Sequence, residues 1–259
     1  MSHTSAPTHL ANETIGSGAQ RIVLVHGFTQ TRASWRDIAE RISSFLPDTH
    51  CLLVDLPGHG GSSAISGDLP QTARMLAATG GVATYMGYSL GARVVLQLAV
   101  DHPNIATAAV SISGTAGIED SDERKQRCES DDALASRIET LGVEAFIQEW
   151  LAQPLFAGLD AAQAQVSERL TNSTRGLADS LRRCGQGRQQ PLWGAMTNYE
   201  HPLLAIAGTR DTKYVALARR LAVTARHGSL ALINDCGHSV NAERPRELVD
   251  EIVAWYRRI

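Results

Sequence analysis

The chain has 259 residues, 43% of them hydrophobic and 20% charged, so one large domain can bury a core without disulfides or metal ions. Its formal net charge of −3 argues against a general affinity for nucleic acids or anionic membranes. No apolar stretch approaches the ~20 residues of a transmembrane helix. Residues 1–8 are polar and lack the basic and then apolar order of a signal peptide. We expect a cytoplasmic monomer or weak homo-oligomer with reduced thiols at Cys51, Cys128, Cys184 and Cys236.

Strand-length apolar segments alternate with helical patterns over the first part of the chain. The predicted strands cover residues 21–26, 51–55, 82–86 and 105–113, and amphipathic or apolar helices are predicted from residue 34 to about 46 and over 92–99. This alternation is typical of a mainly parallel sheet with helices on both faces.

The alternation stops after the fourth predicted strand. Residues 116–197 read as helical throughout, with helix-period patterns over 131–141 and 143–151. Strands resume over residues 202–207 and 229–233, and a closing helix is predicted from about 244 to 257. We therefore predict a core of residues 1–115 and 198–259 with a helical lid, 116–197, inserted between sheet strands. The alternative is an ordinary run of surface helices, but long excursions from a sheet are usually functional.

The pentapeptide Gly-Tyr-Ser-Leu-Gly at residues 87–91 has the pattern of a nucleophile elbow. It follows a predicted strand and opens a predicted helix, and its glycines leave room for the sharp turn that exposes a serine. The helix N-terminus behind it offers free N–H groups to developing negative charge. Ser89 is therefore the candidate nucleophile or proton-transfer group.

A catalytic serine needs a base, and the base needs a group that orients it. Asp211 and His238 each lie just past a predicted strand, and the carboxyl ends of parallel strands open on one edge of the sheet. The order Ser89, Asp211, His238 is that of the α/β-hydrolase triad. Asp235 is nearer to His238 in sequence, but its place in the turn after a strand favours a capping role.

An oxyanion hole is the second requirement of this chemistry. Its donors are predicted to be the backbone N–H of Leu90, directly after the serine, and that of Phe28, in the turn after the first parallel strand. Such donors stabilise a tetrahedral oxyanion or an enolate equally well. His26 and His59 lie in glycine-containing turns and are interpreted as loop organisers, not bases.

These motifs resemble the α/β-hydrolase superfamily across the whole chain, through residues 24–28, 55–60 and 87–91 together with Gly-x-x-Asp at 208–211 and Gly-His at 237–238. More narrowly, the chain resembles the MenH family of 2-succinyl-6-hydroxy-2,4-cyclohexadiene-1-carboxylate synthases. The segments that carry this narrower resemblance are residues 87–93, Arg127 before Asp131, Trp150 before 153–156, Arg169, 185–187 with 190–193, and 211–214. The resemblance implies an α/β-hydrolase fold, a mostly parallel twisted sheet flanked by helices with a helical lid.

The resemblance also implies a binding site for a small-molecule polycarboxylate, since the family's substrate carries three carboxylates. Arg93, Arg127 and Arg169 would clamp them, because guanidinium groups match carboxylates in bidentate fashion. Tyr88 would supply a hydrogen bond and Trp150 an apolar wall. Two alternatives are open: Arg93 in a buried structural ion pair, and Trp150 in the lid's own core. Solvated helix faces are expected for Arg124, Arg137, Arg182 and Arg183.

The reaction that the resemblance implies is elimination of pyruvate from 2-succinyl-5-enolpyruvyl-6-hydroxy-3-cyclohexene-1-carboxylate, with no metal or organic cofactor. Ser89, activated by His238 and Asp211, would remove the proton α to the succinyl ketone. A second hypothesis is a carboxylesterase or C–C bond hydrolase that uses the same triad on a neutral substrate. A third is a non-catalytic binding protein of this fold. An arginine-lined pocket favours the first hypothesis and an apolar pocket the second.

Overall fold

A seven-stranded sheet forms the centre of the protein in a computed structural model that describes residues 8–259. The first seven residues of the polar N-terminal stretch lie outside the described residues. The strand order is β1-β3-β2-β4-β5-β6-β7, and all neighbours pair in parallel except β1 with β3. The strands are β1 Asn12–Gly16, β2 Gln20–Val25, β3 Thr49–Val54, β4 Ala83–Tyr88, β5 Ala106–Ile112, β6 Leu203–Gly208 and β7 Gly228–Ile233.

Helices cover both faces of this sheet. The helices of the described residues are α1 Arg36–Phe45, α2 Leu69–Gly80, α3 Leu90–Asp101, α4 Ser121–Leu151, α5 Val166–Arg169, α6 Thr174–Cys184, α7 Trp193–Met196, α8 Thr212–Thr224, α9 Val240–Glu243 and α10 Pro245–Tyr256. Side chains of α1 and α10 build the core on one face, and those of α2, α3 and α8 build it on the other. None of the helices in residues 8–259 is both long and apolar enough to cross a membrane.

Burial on both faces explains the continuous apolar runs in the sequence. In β2, Ile22 and Leu24 belong to one core, whereas Val23 and Val25 belong to the other. A parallel strand that is covered on both sides has no polar face, so it shows no alternation. The predicted α/β-hydrolase fold is confirmed, with strand ends within about two residues of their predicted positions.

Four elements are absent from the prediction: β1, α2, α8 and α9. Strand β1 is an edge strand whose residues alternate between exposed and half-buried, so it carries no apolar run. It is a strand because it pairs with β3 in antiparallel fashion, and its composition alone does not indicate this. Of the unpredicted helices, α2 begins with a capping box formed by Asp68 and Gln71.

The residues between β5 and β6 fold as helices, and none of residues 116–197 lies in a strand. Gly142, with φ of 77°, interrupts α4 between the two predicted helical patterns. Glycine adopts this left-handed conformation without a steric cost. Helices α4 and α6 share a small apolar core of Ala135, Ile138, Phe146, Ile147, Leu177, Ala178 and Leu181. We call residues 121–196 the helical segment.

All four cysteines are free thiols. Burial raises the pKa of Cys51 and Cys184 to about 11 and that of Cys236 to about 12. These three side chains are therefore protonated at neutral pH and act as small apolar groups.

Candidate active site

The serine elbow lies between β4 and α3, at the carboxyl edge of the sheet. Ser89 has φ of 53° and ψ of −105°, a backbone conformation that costs free energy in a non-glycine residue. A Cβ at Gly87 would lie 2.3 Å from the Gly91 carbonyl carbon, and one at Gly91 would lie 2.2 Å from the Val25 oxygen. Both positions therefore require glycine, and the tight crossing of strand and helix exposes the Ser89 hydroxyl.

The structure brings together the three residues predicted as a triad. His238 Nε2 lies 3.1 Å from Ser89 Oγ, and His238 Nδ1 lies 2.8 Å from Asp211 Oδ2. The other carboxylate oxygen of Asp211 accepts the Tyr214 N–H at 3.2 Å and so caps α8. With Asp211 accepting from Nδ1, Nε2 is left to accept the serine proton, which is the tautomer a general base requires.

Asp235, the alternative partner for the histidine, lies in the turn after β7. It is exposed, has φ of 49°, and its N–H donates to Thr209 Oγ1 at 3.1 Å. Asp235 lies in the turn, and His238 pairs with Asp211 instead.

A buried glutamate outside the prediction ties the two loops of the triad together. Glu243 Oε2 accepts the Gly237 N–H at 2.9 Å and Arg210 Nη2 at 2.7 Å. Gly237 precedes His238, and Arg210 precedes Asp211, so a single carboxylate links the backbone beside the base to the side chain beside its orienting acid. No local motif marks Glu243, because its partner Arg210 lies 33 positions away in the chain.

The two predicted oxyanion donors are free. Within residues 8–259, neither the Phe28 nor the Leu90 backbone N–H has a hydrogen-bond partner, although both residues line the cavity that contains Ser89. Leu90 is the first residue of α3, where N–H groups have no acceptor within the helix. Unpaired N–H groups of this kind can donate hydrogen bonds to a developing oxyanion.

Two buried histidines organise the loops around these donors, as predicted. His26 Nδ1 donates to the Gly27 carbonyl at 2.8 Å and Nε2 accepts the Leu56 N–H at 3.0 Å, which orients the peptide unit that carries the Phe28 N–H. His59 Nε2 accepts the Thr29 N–H at 3.3 Å. Burial lowers the pKa of His26 to about 4 and that of His59 to about 3, so both are neutral at neutral pH.

Ser89 and His238 face a cavity of about 390 Å³ between the sheet edge and the helical segment. Four cationic side chains line it: Arg93, Arg127, Arg169 and Lys213. Two carboxylates line it, Asp131 and Asp211, and each already has a partner. Lys213 lies in segment 211–214, which carries the narrower resemblance, but it is not among the predicted site residues. Within residues 8–259, no group of three or more His, Cys, Asp or Glu side chains could hold a metal ion.

The arginines of the cavity differ in how many of their donors already form hydrogen bonds within the protein. Arg93 Nη1 is buried without a hydrogen-bond partner among residues 8–259, no carboxylate of that range pairs with Arg93, and burial lowers its pKa. The alternative of a structural ion pair is therefore not observed. Arg127 is partly engaged: Nε donates to Asp131 Oδ1 at 2.8 Å and Nη1 to Gln186 Oε1 at 2.5 Å.

Arg169 is held by the protein on two of its nitrogens. Its Nη1 donates to Thr29 Oγ1, and its Nε donates to the Ala164 carbonyl at 2.8 Å. Burial lowers its pKa to about 10, so it remains charged at neutral pH. Arg169 therefore supports the turn after β2 as well as lining the cavity.

The predicted hydrogen-bonding tyrosine and apolar wall both line the cavity. The Tyr88 hydroxyl is already 3.0 Å from Ser239 Oγ, so it is engaged within the protein. Trp150 packs against Phe28 and Phe156, at 5.3 and 5.5 Å between ring centroids, while its Nε1 is buried without a partner among residues 8–259. Trp150 thus belongs both to the wall and to the aromatic packing of the helical segment.

The four arginines of the helical segment that were expected on solvated helix faces do not line the cavity. Arg137, Arg182 and Arg183 pair with Glu149, Glu139 and Asp179 on the surface, and Arg124 donates to the Ile118 carbonyl. Their interpretation as solvated helix-face residues agrees with these contacts.

Comparison with known proteins gives the same fold and a narrower group of relatives. The profile of the alpha/beta hydrolase family matches residues 22–251. A 2-succinyl-6-hydroxy-2,4-cyclohexadiene-1-carboxylate synthase from Salmonella agona (strain SL483) is 31% identical over 93% of this chain and 95% of its own.

Two solved structures are similar over nearly their whole length. The structure of MenH from S. aureus has a TM-score of 0.87 at 26% identity and covers 95% of this chain and 98% of its own. A malate-bound thermophilic esterase from Thermogutta terrifontis shares the fold, with a TM-score of 0.82 at 20% identity over 96% of this chain and 93% of its own. The chain belongs to the alpha/beta hydrolase family and, within it, is similar to MenH proteins.

Proposed function

We propose that the protein is a carbon–oxygen lyase of menaquinone biosynthesis that eliminates pyruvate from 2-succinyl-5-enolpyruvyl-6-hydroxy-3-cyclohexene-1-carboxylate. The product is 2-succinyl-6-hydroxy-2,4-cyclohexadiene-1-carboxylate. The observation that carries this proposal is the cationic lining of the cavity beside Ser89, where Arg93 and Lys213 have no carboxylate partner among residues 8–259. The similarity to synthases of this name, over more than nine-tenths of both chains, supports it.

The proton transfer begins at the serine. His238 Nε2 takes the Ser89 hydroxyl proton while Ser89 Oγ takes the proton α to the succinyl ketone. The electron pair of the broken C–H bond forms an enolate, and Asp211 stabilises the imidazolium that results. Ser89 acts here as a base, so no acyl-enzyme forms.

Elimination then restores the neutral enzyme. As the enolate collapses, a C2–C3 ring double bond forms, the C3–C4 double bond moves to C4–C5, and the bond from ring carbon C5 to the enolpyruvyl oxygen breaks. The leaving enolate of pyruvate takes a proton from His238 and tautomerises to pyruvate. Atoms and charge balance without an external oxidant or reductant.

The turn after β2 and the N-terminus of α3 would stabilise the enolate oxygen. The free N–H groups of Phe28 and Leu90 would donate to it, aided by the positive end of the α3 dipole. One such donor typically contributes about 10²–10³-fold in kcat. This requirement explains why a lyase would keep an oxyanion hole.

The three carboxylates of the substrate need three cationic contacts. Arg93, with an unpartnered buried Nη1, is best prepared to bind one. Arg127 and Arg169 keep part of their donors for protein acceptors and have fewer to offer. The helical segment, which supplies Arg127 and Arg169, would serve as a lid over the bound substrate.

The test is to supply the enolpyruvyl substrate and follow pyruvate release with a coupled lactate dehydrogenase assay, beside a p-nitrophenyl ester. We expect pyruvate release by the wild type and none by Ser89→Ala, with equal thermal unfolding midpoints. Ester cleavage without pyruvate release would favour a serine esterase instead. Pyruvate release by Ser89→Ala at the wild-type rate would exclude the proposed mechanism.

A further inference from the structure

Asn172, a residue of the helical segment with 5% of its surface exposed, contacts two loops at the edge of the sheet. Its Nδ2 donates to the Thr29 carbonyl at 2.8 Å and to the Arg169 carbonyl at 2.9 Å, and its Oδ1 accepts the Gly60 N–H at 2.9 Å. Two carbonyls on one side and an N–H on the other fix the orientation of the amide. Both N–H groups of the side-chain amide donate to these carbonyls, so the amide is held in one orientation.

The residue it holds has an unfavourable backbone conformation. Thr29 has φ of 67°, in the left-handed region that β-branched residues rarely adopt. Each of its polar groups is bound: the N–H by His59, the hydroxyl by Arg169 and the carbonyl by Asn172. Two of these three partners come from the helical segment, so that segment maintains the strained turn.

Thr29 directly follows Phe28, the proposed oxyanion donor. If Thr29 relaxed to negative φ, the Phe28–Thr29 peptide would turn, and Phe28 would move with it. We propose that Asn172 is a positioning residue for the oxyanion hole: it holds Thr29 in the left-handed conformation and thereby fixes the Phe28 N–H. This role rests on the proposed active site, and it gives the helical segment a part in catalysis besides covering the substrate.

The first test is to replace the amide. Asn172→Ala removes all three side-chain hydrogen bonds, and Asn172→Asp keeps an acceptor for Gly60 but loses the donors to the Thr29 and Arg169 carbonyls. For both variants we expect kcat of pyruvate release to fall about 10- to 100-fold, below the 10²–10³ of losing an oxyanion donor outright. KM should change less than about threefold, because the bound substrate carries no oxyanion until its proton is removed. Unchanged kcat in both folded variants would overturn the proposal.

A matched control is Gln189, another buried amide of the helical segment. Its Nε2 donates to the Thr115 carbonyl at 3.1 Å, away from the turn after β2. Gln189→Ala also loses a side-chain hydrogen bond to a backbone carbonyl, but that carbonyl does not belong to the turn that carries Phe28, so kcat should stay within about twofold of wild type. A loss of kcat equal to that of Asn172→Ala would mean general loosening of the segment and would overturn the proposal.

A rescue experiment tests the backbone mechanism. Glycine adopts positive φ without steric cost, so Thr29→Gly needs less support from Asn172. In a double-mutant cycle, Asn172→Ala should therefore cost at least about threefold less in kcat in the Thr29→Gly background than in the wild type. An equal cost in both backgrounds would show that Asn172 does not act through the conformation of Thr29.

A substrate-independent readout separates this role from the proposed reaction. With a fluorophosphonate probe, Ser89 Oγ forms a bond to phosphorus as fluoride leaves, His238 takes the serine proton, and the oxyanion donors hold the phosphoryl oxygen. The rate of labelling, monitored by mass spectrometry of the intact protein, should be at least about tenfold lower in Asn172→Ala than in Gln189→Ala. If the wild type labels but releases no pyruvate, the proposed function fails and the labelling rates still decide the role of Asn172. Equal labelling rates, or a wild type that neither labels nor turns over, would overturn it.

Discussion

The Tyr88 hydroxyl lies 3.0 Å from Ser239 Oγ, and both side chains are buried. Tyr88 precedes Ser89, and Ser239 follows His238. A side-chain hydrogen bond therefore joins the elbow to the histidine loop, in addition to the direct contact between serine and histidine.

Replacing Tyr88 with phenylalanine keeps the ring in the cavity wall and removes this connection. We expect kcat to fall about fivefold with little change in KM, since a neutral hydrogen bond is worth about 1 kcal/mol. Ser239→Ala should behave in the same way, and the double variant should be no worse than either single one. A large rise in KM at constant kcat for Tyr88→Phe alone would instead indicate that the hydroxyl binds substrate, as the family resemblance implies.

Asp211 is expected to act through the histidine. In Asp211→Asn, the amide oxygen can still accept the Tyr214 N–H and cap α8, but an amide at the other position favours the wrong tautomer of His238. Steady-state kinetics should show kcat lowered by about 10³–10⁴-fold, as for other triads, with the thermal midpoint nearly unchanged. The exposed Asp235→Asn is the matched control, and a similar loss of kcat there would contradict the pairing of His238 with Asp211.

The sequence was sufficient for those parts of the site that local patterns determine. The elbow around Ser89 is a contiguous motif, and Asp211 and His238 each follow an apolar strand whose carboxyl end reaches the same edge of the sheet. Parallel topology then brings them within hydrogen-bonding distance without further information. The two helical patterns over 131–141 and 143–151 lie on either side of Gly142, where the structure interrupts α4.

The residues that support the site depend on contacts that no local pattern encodes. Asn172 bonds to residues more than 100 positions away in sequence, and Glu243 bonds to Arg210, 33 positions away. The engagement of Arg169 with Thr29 depends on how the helical segment docks, so sequence could identify a cation but not its partner. Such pairings follow from tertiary packing and require coordinates.

Arg93 should contribute to binding of the charged substrate and not to the proton transfer. Arg93→Met keeps an apolar stem in the cavity and removes the unpartnered guanidinium. We expect KM for the eliminating substrate to rise about 10- to 100-fold, corresponding to about 1.5–3 kcal/mol for a hydrogen bond to a charged group. Hydrolysis of a neutral p-nitrophenyl ester, if present, should change little.

The control for Arg93 is Arg182→Met, which removes a cation from the surface of the same protein, where Arg182 pairs with Glu139. It should leave KM within about twofold, because exposed ion pairs contribute little. An equal rise of KM in both variants would indicate a long-range effect of net charge instead of a specific contact.

The buried pair His26 and His59 should make folding stability depend on pH. Their folded-state pKa values, about 4 and about 3, lie below the ordinary 6.5, so the unfolded chain binds protons first as pH falls. Stability is then complete above about pH 7 and falls from pH 6.5 downward, by about 2 kcal/mol per histidine at pH 5. Urea unfolding between pH 7.5 and pH 5 measures this slope above the range in which carboxylates titrate. His26→Gln, which removes one of the two groups, should reduce the slope by about half even though the variant is less stable at every pH. An unchanged slope would show that His26 is not neutral in the folded protein.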